Sequence, residues 1–327
     1  MIFLLIDDEH QLYKKMYEEV ITSGRKDIIE IPRFTHMNLM LRGICRLHFN
    51  PRINSHLWLR GKSIWNGHYS LSSYKFDENE QYVAIFMNGT IRLYYSIDYF
   101  RQFKKEHPNV KTAMVLYDSS SNQSAKRCFA LASVFDIVLS FDSEDCKKYG
   151  FKWFNSTLSM PRGLSHDDNY KSSAFFVGVG GERLDLLHSI FYTIVSSIEN
   201  TKFIINGVKR SQQVLEKVVE YNHTISYPES QKYAFNTDCI VEVIKPNQTG
   251  MTLRTCEAIM FNKKLLTNNS DIRKLPFYDE RYMSVFSCAD DIDLSFLSRN
   301  IKVDYKYNGY FSPYEILNII KTSVSSV

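Results

Sequence analysis

The chain has 327 residues, of which 44% are hydrophobic, 14% aromatic and 23% charged, and its formal net charge is +4. The 21 tyrosines and 22 phenylalanines exclude a disordered chain, because disordered segments contain few aromatic residues. The weak positive charge argues against nucleic-acid binding but is compatible with an anionic sugar nucleotide or an anionic membrane surface. Six widely spaced cysteines without a CxxC pair suggest neither a zinc site nor a disulfide framework.

The chain begins with six apolar residues and then meets Asp7, Asp8 and Glu9. This start lacks the basic region and the long apolar run of a signal peptide. No run reaches the ~20 apolar residues that a membrane-spanning helix needs. We therefore expect a cytoplasmic protein, in which any membrane contact is peripheral and lies on the inner face of the membrane.

Short apolar runs alternate with helix-like segments along the chain, which predicts an α/β protein with parallel sheets. The segment from Ile29 to about Ser73 is rich in His, Arg and aromatic residues and contains several possible strands. The other elements predicted in the first half are, in chain order, strand Ile2–Ile6, helix Gln11–Ser23, strand Tyr82–Met87, a turn at Asn88-Gly89, helix Tyr95–Glu106, strand Thr112–Tyr117, helix Ala125–Ala132, strand Ile137–Phe141 and helix Ser143–Tyr149.

A polar stretch, Pro161–Ser173, has no apolar period and is interpreted as a linker between domains 1–165 and 166–327. Two successive αβ patterns of comparable length predict two Rossmann-like domains that face each other across a cleft, with the last helix able to pack back on the first domain. The elements predicted after the linker are strand Ala174–Val179, helix Arg183–Ile198, strand Lys202–Ile205, helix Gln212–Tyr221, strand Cys239–Ile244, a helix from about Met251, strand Lys264–Thr267 and a helix near Ser312–Thr322.

The segment Asn247–Glu257 runs from a strand through a polar loop into a helix. If that helix begins near Met251, the loop places backbone N–H groups and hydroxyls at a positive helix end, which suits a diphosphate. Glu257, about two turns further along, could then reach the hydroxyls of a ribose. The alternative is an ordinary strand-to-helix connection with an exposed Glu257.

A second strand-to-helix turn, Val177-Gly-Val-Gly-Gly-Glu-Arg183, contains three glycines that permit close approach of a ligand to the backbone. Arg183 at the start of the helix is well placed for a phosphate. The match to GxGxxG is loose, and a tight turn without a ligand is the alternative. Lys209 or Arg210, after the next strand, could reach the same site, although a solvated charge pair explains at least one of them.

In the first half, Asp118 and Asp142 each follow a predicted strand, where polar residues line the crevice of a parallel sheet. A carboxylate there could act as a base toward an acceptor hydroxyl. For Asp142 the competing role is that of a helix N-cap. His10 follows the first strand and is a further candidate.

The order of these segments is similar to that of a GT-B glycosyltransferase, with the acceptor domain first and the nucleotide-sugar domain second. The resemblance is strongest over Tyr227–Tyr278. In many such enzymes a glutamate precedes the glycine of the loop, whereas here Thr249 occupies that place. Four segments resemble bacterial lipopolysaccharide or capsule biosynthesis proteins related to the spore-maturation glycosyltransferase-like group: Thr252–Ala258, Lys263–Asn269, Tyr117-Asp-Ser119 and Leu139–Tyr149.

This resemblance implies a transferase that moves a sugar from a nucleotide-diphosphate donor to a saccharide or lipid-linked acceptor in bacterial surface polysaccharide synthesis. It implies no cofactor and no metal, and the weak net charge leads us to expect no nucleic-acid partner. Asp118, Asp142 and His10 are the candidate bases. The donor-binding residues that it implies are Gly180, Arg183, Lys209, Gln248, Thr249, Gly250, Thr252, Arg254 and Glu257.

The sequence has two alternative interpretations. A noncatalytic GT-B-like scaffold or interaction protein is the main alternative, because residues 24–78 conform poorly to the family. A nucleotide-sugar epimerase or dehydrogenase would need a glycine-rich motif after the first strand, and Leu5-Ile-Asp-Asp-Glu9 contains no glycine.

Overall fold

The computed structural model describes residues 1–7, 11–57, 59–245 and 251–325. It divides the chain into two compact units: Met1–Ser159 together with Ser312–Val327, and Met160–Phe311. The chain thus leaves the first unit just before the polar stretch Pro161–Ser173 and returns to it with the last helix.

The first unit contains a parallel sheet of six strands: β1 (Ile2–Ile6), β2 (Ile28–Ile31), β3 (Tyr82–Met87), β4 (Val110–Leu116), β5 (Ile137–Ser140) and β6 (Lys152–Trp153). Their order across the sheet is β2-β1-β3-β4-β5-β6. Every residue of β3 is buried, as expected for a parallel strand that is covered on both faces. The helices of this part of the chain are α1 (Gln11–Met16), α2 (Glu18–Ile21), α3 (Leu39–His48), α4 (Pro51–His56), α5 (Asn88–Leu93), α6 (Ile97–Glu106), α7 (Lys126–Leu131) and α8 (Ser143–Tyr149).

The second unit contains a further parallel sheet of six strands: β7 (Ser172–Val179), β8 (Thr201–Asn206), β9 (Glu220–Tyr221), β10 (Thr237–Glu242), β11 (Lys264–Thr267) and β12 (Met283–Val285). Their order is β12-β11-β10-β7-β8-β9, which is the doubly wound Rossmann order. The helices are α9 (Leu184–Val195), α10 (Tyr227–Asn236), α11 (Leu253–Met260) and α12 (Leu294–Ser298), and α13 (Tyr314–Ser325) then belongs to the first unit.

These sheets confirm the predicted α/β class, but four local predictions were wrong. No helix spans Gln212–Tyr221: buried Leu215 and Val219 mimic a helical i, i+4 spacing, while the segment forms turns and ends in strand β9. Asn88-Gly89 begins α5 instead of forming a turn. The helix predicted at Gln11–Ser23 is broken at Tyr17 into α1 and α2. Between Ile29 and Ser73 the described residues are mostly helical, and β2 is the strand formed there.

The connections of each sheet reverse direction at one point. In the second unit β7 leads to β8 on one side and β10 leads to β11 on the other, so the switch point lies between β7 and β10. In the first unit the corresponding point lies between β1 and β3. Ligands of such sheets bind outside the carboxyl ends of the strands at the switch point. Both positions are therefore candidate sites.

Candidate functional site

At the switch point of the second unit, Arg183 connects the ends of the two central strands. Its Nε donates to the carbonyl of Val179 at 2.9 Å, and its Nη1 donates to the carbonyl of Val243. Val179 is the last residue of β7, and Val243 directly follows β10. The guanidinium group therefore lies where the doubly wound order places a ligand.

Gly178 and Gly180 precede Arg183, and each lacks room for a side chain for a different reason. A Cβ on Gly178 would lie 2.8 Å from Nη2 of Arg183, so this glycine leaves space for the guanidinium group. A Cβ on Gly180 would lie 3.2 Å from Leu184 and from Val208, so that glycine allows α9 to approach the sheet. The first reason concerns the charged group at the site, and the second concerns helix packing.

The positive charge of Arg183 has no acidic partner in the part of the chain that the structure describes. Its hydrogen-bond acceptors there are the two neutral carbonyls of Val179 and Val243. Burial lowers the pKa of Arg183, but a guanidinium group starts so high that it stays protonated at neutral pH. A partly buried cation without a counter-charge favours the binding of an anion.

Thr252 is the N-cap of α11, and its hydroxyl is used within the protein. It accepts a hydrogen bond from the backbone N–H of Arg254 at 3.0 Å and donates one to Glu242. The carboxylate of Glu242, at the end of β10, also accepts from Thr255 at 2.7 Å and from Thr267. Glu242 is buried, with 2% of its surface exposed, and its three hydrogen bonds hold the first turn of α11 against the ends of β10 and β11.

Glu257 is fully buried on α11, in contrast to the exposed position considered as an alternative. Tyr227 donates to its Oε1 at 3.0 Å, and Nη1 of Arg254 donates to its Oε2. Arg254 also donates to the hydroxyl of Ser230 at 3.0 Å. Burial raises the pKa of Glu257, and the Arg254 charge and the hydrogen bonds from Tyr227 and Arg254 oppose that rise. Glu257 is the residue predicted to bind ribose, and both of its carboxylate oxygens thus already accept hydrogen bonds from side chains of this chain.

The remaining donor-binding predictions fall in two groups. Lys209 is exposed and lies just after β8, so it is near the carboxyl end of the strand that neighbours β7. Gln248, Thr249 and Gly250 lie outside the described residues.

In the first unit, Asp118 follows β4 and is oriented by two amide side chains. Asn88 donates to it at 2.7 Å, and Asn122 donates to it at 3.0 Å. Asn88 is itself fixed at the end of β3, because its Oδ1 accepts from Tyr13 at 3.1 Å and from the backbone N–H of Tyr117 at 3.2 Å. Asp118 therefore has a defined orientation near the switch point of the first sheet.

Asp142 is the N-cap of α8. Its Oδ1 accepts from the backbone N–H groups of Glu144 at 2.9 Å and Asp145 at 3.1 Å, so the capping alternative describes its contacts. Asp145 is buried and accepts from the N–H of Ser120 at 2.7 Å, which holds the loop after Asp118. His10 lies outside the described residues.

A pocket of about 610 Å³ lies beside the carboxyl ends of β1 and β2. Its lining is mainly basic and aromatic, since it includes Arg33, Arg42, Arg46, Phe34, Phe49 and Tyr94. It also includes one carboxylate, that of Asp7, which pairs with Lys14 at 3.3 Å. The guanidinium of Arg33 lies 3.9 Å from the centre of the Tyr94 ring, which is a cation–π contact.

Neither a metal site nor a membrane-spanning helix is present within residues 1–7, 11–57, 59–245 and 251–325. No group of three or more His, Cys, Asp or Glu side chains in these ranges is arranged to hold a metal ion. None of the helices in the same ranges is both long enough and apolar enough to cross a bilayer.

Three functional side chains were missed by sequence reasoning. Glu242 ends an apolar strand, and a charged residue in that place suggests exposure instead of burial. The sequence predicts a turn at Asn88, whereas this residue begins α5. Tyr227 lies in the quoted Ser226-Tyr-Pro-Glu229 segment, where Ser226 caps α10, and its contact with Glu257 depends on the packing of two helices.

The fold resembles several solved structures at low sequence identity. No protein-family model matches the sequence, and the search of curated proteins found no match. A proposed UDP-N-acetylglucosamine 2-epimerase from Listeria monocytogenes aligns over 99% of this chain and 97% of its own, with a TM-score of 0.58 and 9% identity. An α-glucosyltransferase in complex with UDP and a 13-mer DNA aligns over 98% and 99%, with a TM-score of 0.55 and 9% identity.

HepE from Anabaena, in complex with UDP and glucose, aligns over 100% of both chains with a TM-score of 0.54 and 10% identity. Identities at this level show a shared fold. The two parallel sheets and their strand orders agree with that result. The chain has a GT-B glycosyltransferase-like fold.

Proposed function

We propose that this chain is a nucleotide-sugar enzyme, and specifically a glycosyltransferase that acts in bacterial surface polysaccharide synthesis. The observation that carries the proposal is Arg183, a partly buried cation at the β7/β10 switch point whose acceptors in the described structure are neutral carbonyls. A diphosphate supplies the missing negative charge. Three of the structures with this fold, including HepE, are described as complexes with UDP, which supports the choice of ligand.

In this proposal Arg183 and Lys209 bind the diphosphate charge. The chain segment that leads into α11 supplies backbone N–H groups, with Gln248, Thr249 and Gly250 as the proposed contacts. The backbone at Thr252 contributes, while its hydroxyl remains with Glu242. The positive ends of helices and the guanidinium group then stabilise the leaving diphosphate without a bound metal.

Glu257 remains the proposed ribose ligand, and the structure adds a condition. Its two oxygens already accept from Arg254 and Tyr227 and the side chain is fully buried, so one of these partners has to move before a ribose hydroxyl can reach the carboxylate. Arg254 is the partner that can leave, because its side chain is 17% exposed whereas Glu257 is fully buried. A displaced Arg254 would carry its charge toward the same donor.

On the acceptor side, Asp118 is the proposed general base of an inverting displacement. Its carboxylate is positioned by Asn88 and Asn122, and it can take the proton of a saccharide or lipid-linked acceptor hydroxyl. Asp142 is less suited because its carboxylate caps α8. His10 stays a candidate. We further propose a cytoplasmic location with peripheral contact at the inner membrane.

A 2-epimerase is the second candidate, because the Listeria structure of this fold is described as a proposed UDP-N-acetylglucosamine 2-epimerase. The lack of a first-strand glycine motif does not exclude this activity, since that protein has the same fold. The two functions separate in a simple assay. An epimerase converts UDP-N-acetylglucosamine to its 2-epimer without an acceptor, whereas a transferase releases UDP when an acceptor is present.

The proposal is tested first by nucleotide binding. UDP, GDP and CDP are added to the wild type and to Arg183→Met, and the thermal unfolding midpoint is measured. A nucleotide at about 100 times its Kd stabilises the folded state by about 2.7 kcal/mol, so one nucleotide should raise the midpoint of the wild type by several degrees. Arg210 is exposed and pairs with Glu216 at 3.2 Å, which is the solvated charge pair expected for it, so Arg210→Met should respond like the wild type. Absence of any shift would leave the noncatalytic scaffold as the better reading.

A further inference from the structure

Helix α3 connects the basic pocket of the first unit with an exposed apolar surface. Arg42, Cys45 and Arg46 are its contributions to the lining of the pocket. Asn38 caps the helix by accepting from the N–H of Leu41 at 2.9 Å, so its first turn is fixed. Cys45 faces inward and is 5% exposed. The arginines on either side of it in sequence are exposed and form one rim of the pocket.

The outer face of α3 is apolar. Leu39 is 87% exposed, Met40 76%, Leu47 59% and Ile44 46%. At about 100° per residue these four side chains share one arc of the helix, and Arg42 and Arg46 lie along one edge of that arc. Four large apolar side chains in one contiguous patch are unusual on a protein surface and mark an interaction site.

The charge of this face is uniformly positive. The sequence of α3, LMLRGICRLH, contains no acidic residue. Across the described ranges, neither Arg42 nor Arg46 forms an ion pair with a carboxylate. A helix with an apolar arc flanked by arginines matches the surface of an anionic bilayer, where apolar side chains enter the acyl boundary and arginines contact the lipid phosphates.

We propose that α3 docks the first unit on an anionic membrane, and that Arg42 and Arg46 bind the phosphate of a lipid whose polar head enters the adjoining pocket. A guanidinium group suits this role because it contacts phosphate oxygens in a bidentate manner. The aromatic walls of the pocket, Phe34, Phe49 and Tyr94, suit the apolar faces of a sugar or of the lipid stem. Naming that lipid as the sugar acceptor rests on the proposed function, whereas docking does not.

The test is flotation with vesicles of phosphatidylcholine alone and of phosphatidylcholine with phosphatidylglycerol. The wild type should float with the anionic vesicles only. Arg42→Gln/Arg46→Gln should lower the binding constant about fivefold for each arginine removed. Leu39→Ser/Leu47→Ser should lower it at least about tenfold, because both side chains lose apolar contact with lipid.

Matched controls are Lys26→Gln/Lys105→Gln, which removes the same charge from exposed sites, and Val214→Ser/Val218→Ser, which removes exposed apolar groups elsewhere. Both should float like the wild type. The proposal would be overturned if the Leu39→Ser/Leu47→Ser variant floated as well as the wild type. It would also be overturned if the protein bound inorganic phosphate but not vesicles, because the pocket would then be a site for a soluble anion. The UDP-induced thermal shift, measured on the same variants, should be unchanged. If UDP gave no thermal shift while the wild type still floated with anionic vesicles, the proposed donor function would be rejected and the proposed membrane docking would be retained.

Discussion

Arg183 donates a hydrogen bond to the carbonyl of Val243, and this contact joins the start of α9 to the end of β10. The two strands on either side of the switch point are thereby linked through one charged group. A diphosphate bound there would meet a guanidinium group that is already oriented by two carbonyls, so little side-chain entropy is lost on binding.

Gly178→Ala should weaken nucleotide binding through Arg183. The new Cβ would lie 2.8 Å from Nη2 of Arg183 and 3.0 Å from the Phe176 ring, so the guanidinium group has to shift. We expect the Kd for UDP, measured by calorimetry, to rise about tenfold, which corresponds to about 1.4 kcal/mol. Gly67→Ala is the control, since a Cβ there meets nothing within 4 Å and its φ is not positive. An unchanged Kd for Gly178→Ala would show that Arg183 does not contact the nucleotide.

Glu257 should make stability decrease as the pH rises. Burial raises its pKa above the ordinary 4.5, so the folded state binds the proton more tightly than the unfolded state. Its contribution to stability is therefore largest below the ordinary value and declines as the pH increases through the raised value. The free energy of unfolding is measured in urea for the wild type and for Glu257→Gln, from below pH 4.5 to above it. As the pH rises, the wild type should lose stability relative to the Gln variant. A difference that shifts the other way would mean that the Arg254 charge outweighs burial.

Tyr227→Phe separates the two roles of Glu257. It removes the donor to Oε1 while the Arg254 contact remains, so a ribose hydroxyl can take the vacant acceptor. We expect Tyr227→Phe to retain UDP binding within about threefold, while Glu257→Ala weakens it at least about tenfold through loss of the ribose contact. Equal losses in the two variants would indicate that Glu257 only supports the packing of α10 against α11.

Glu242→Gln should destabilise the second unit. A carboxylate accepts from all three threonine hydroxyls, whereas an amide has one oxygen and places its NH₂ group against a hydroxyl. Hydrogen bonds to a charged group contribute more than neutral ones, so we expect a loss of about 2 to 3 kcal/mol in urea unfolding. Glu182→Gln, at an exposed position, should change stability by less than about 0.5 kcal/mol.

The sequence predicted the sheets better than the site, and the reason is physical. Strands β1 and β3 are continuous apolar runs, buried except for the partly exposed Ile2, so the chain itself shows them. Arg183 could be singled out because glycines precede it in a strand-to-helix turn. The partners of Glu257 could not, because Tyr227 lies 30 residues earlier on another helix. Leu215 and Val219 show the opposite failure, since their spacing fits a helix although the chain forms turns there.

Lys264→Met should lower stability because this lysine is a buried cap. Its Nζ donates to the carbonyls of Phe296 at 3.2 Å, Leu297 at 2.5 Å and Arg299 at 3.2 Å, at the end of α12. Methionine fills the space but leaves these carbonyls without their donor, so we expect a loss of about 3 kcal/mol in chemical denaturation. Lys274→Met, whose lysine side chain is 81% exposed, should lose less than about 0.5 kcal/mol.

Asp118→Asn and Asp142→Ala should differ in which property they change. Asp118 is held by two amide donors without capping a helix, so its replacement should remove the proton acceptor and lower turnover by about 100-fold or more, with stability changed by about 1 kcal/mol at most. Asp142 caps α8, so its replacement should cost about 1 kcal/mol of stability and leave turnover of the folded enzyme close to that of the wild type.

Turnover is measured as UDP released from a UDP-sugar in the presence of vesicles made from a bacterial lipid extract, and stability by urea unfolding. UDP affinity should be equal in both variants and the wild type, because the proposed donor residues lie in the second unit. If Asp142→Ala lost turnover at unchanged stability while Asp118→Asn stayed active, the base would be Asp142 and the capping contacts would be incidental. If both variants stayed active, the proton acceptor would lie elsewhere, and His10 would be the next residue to replace.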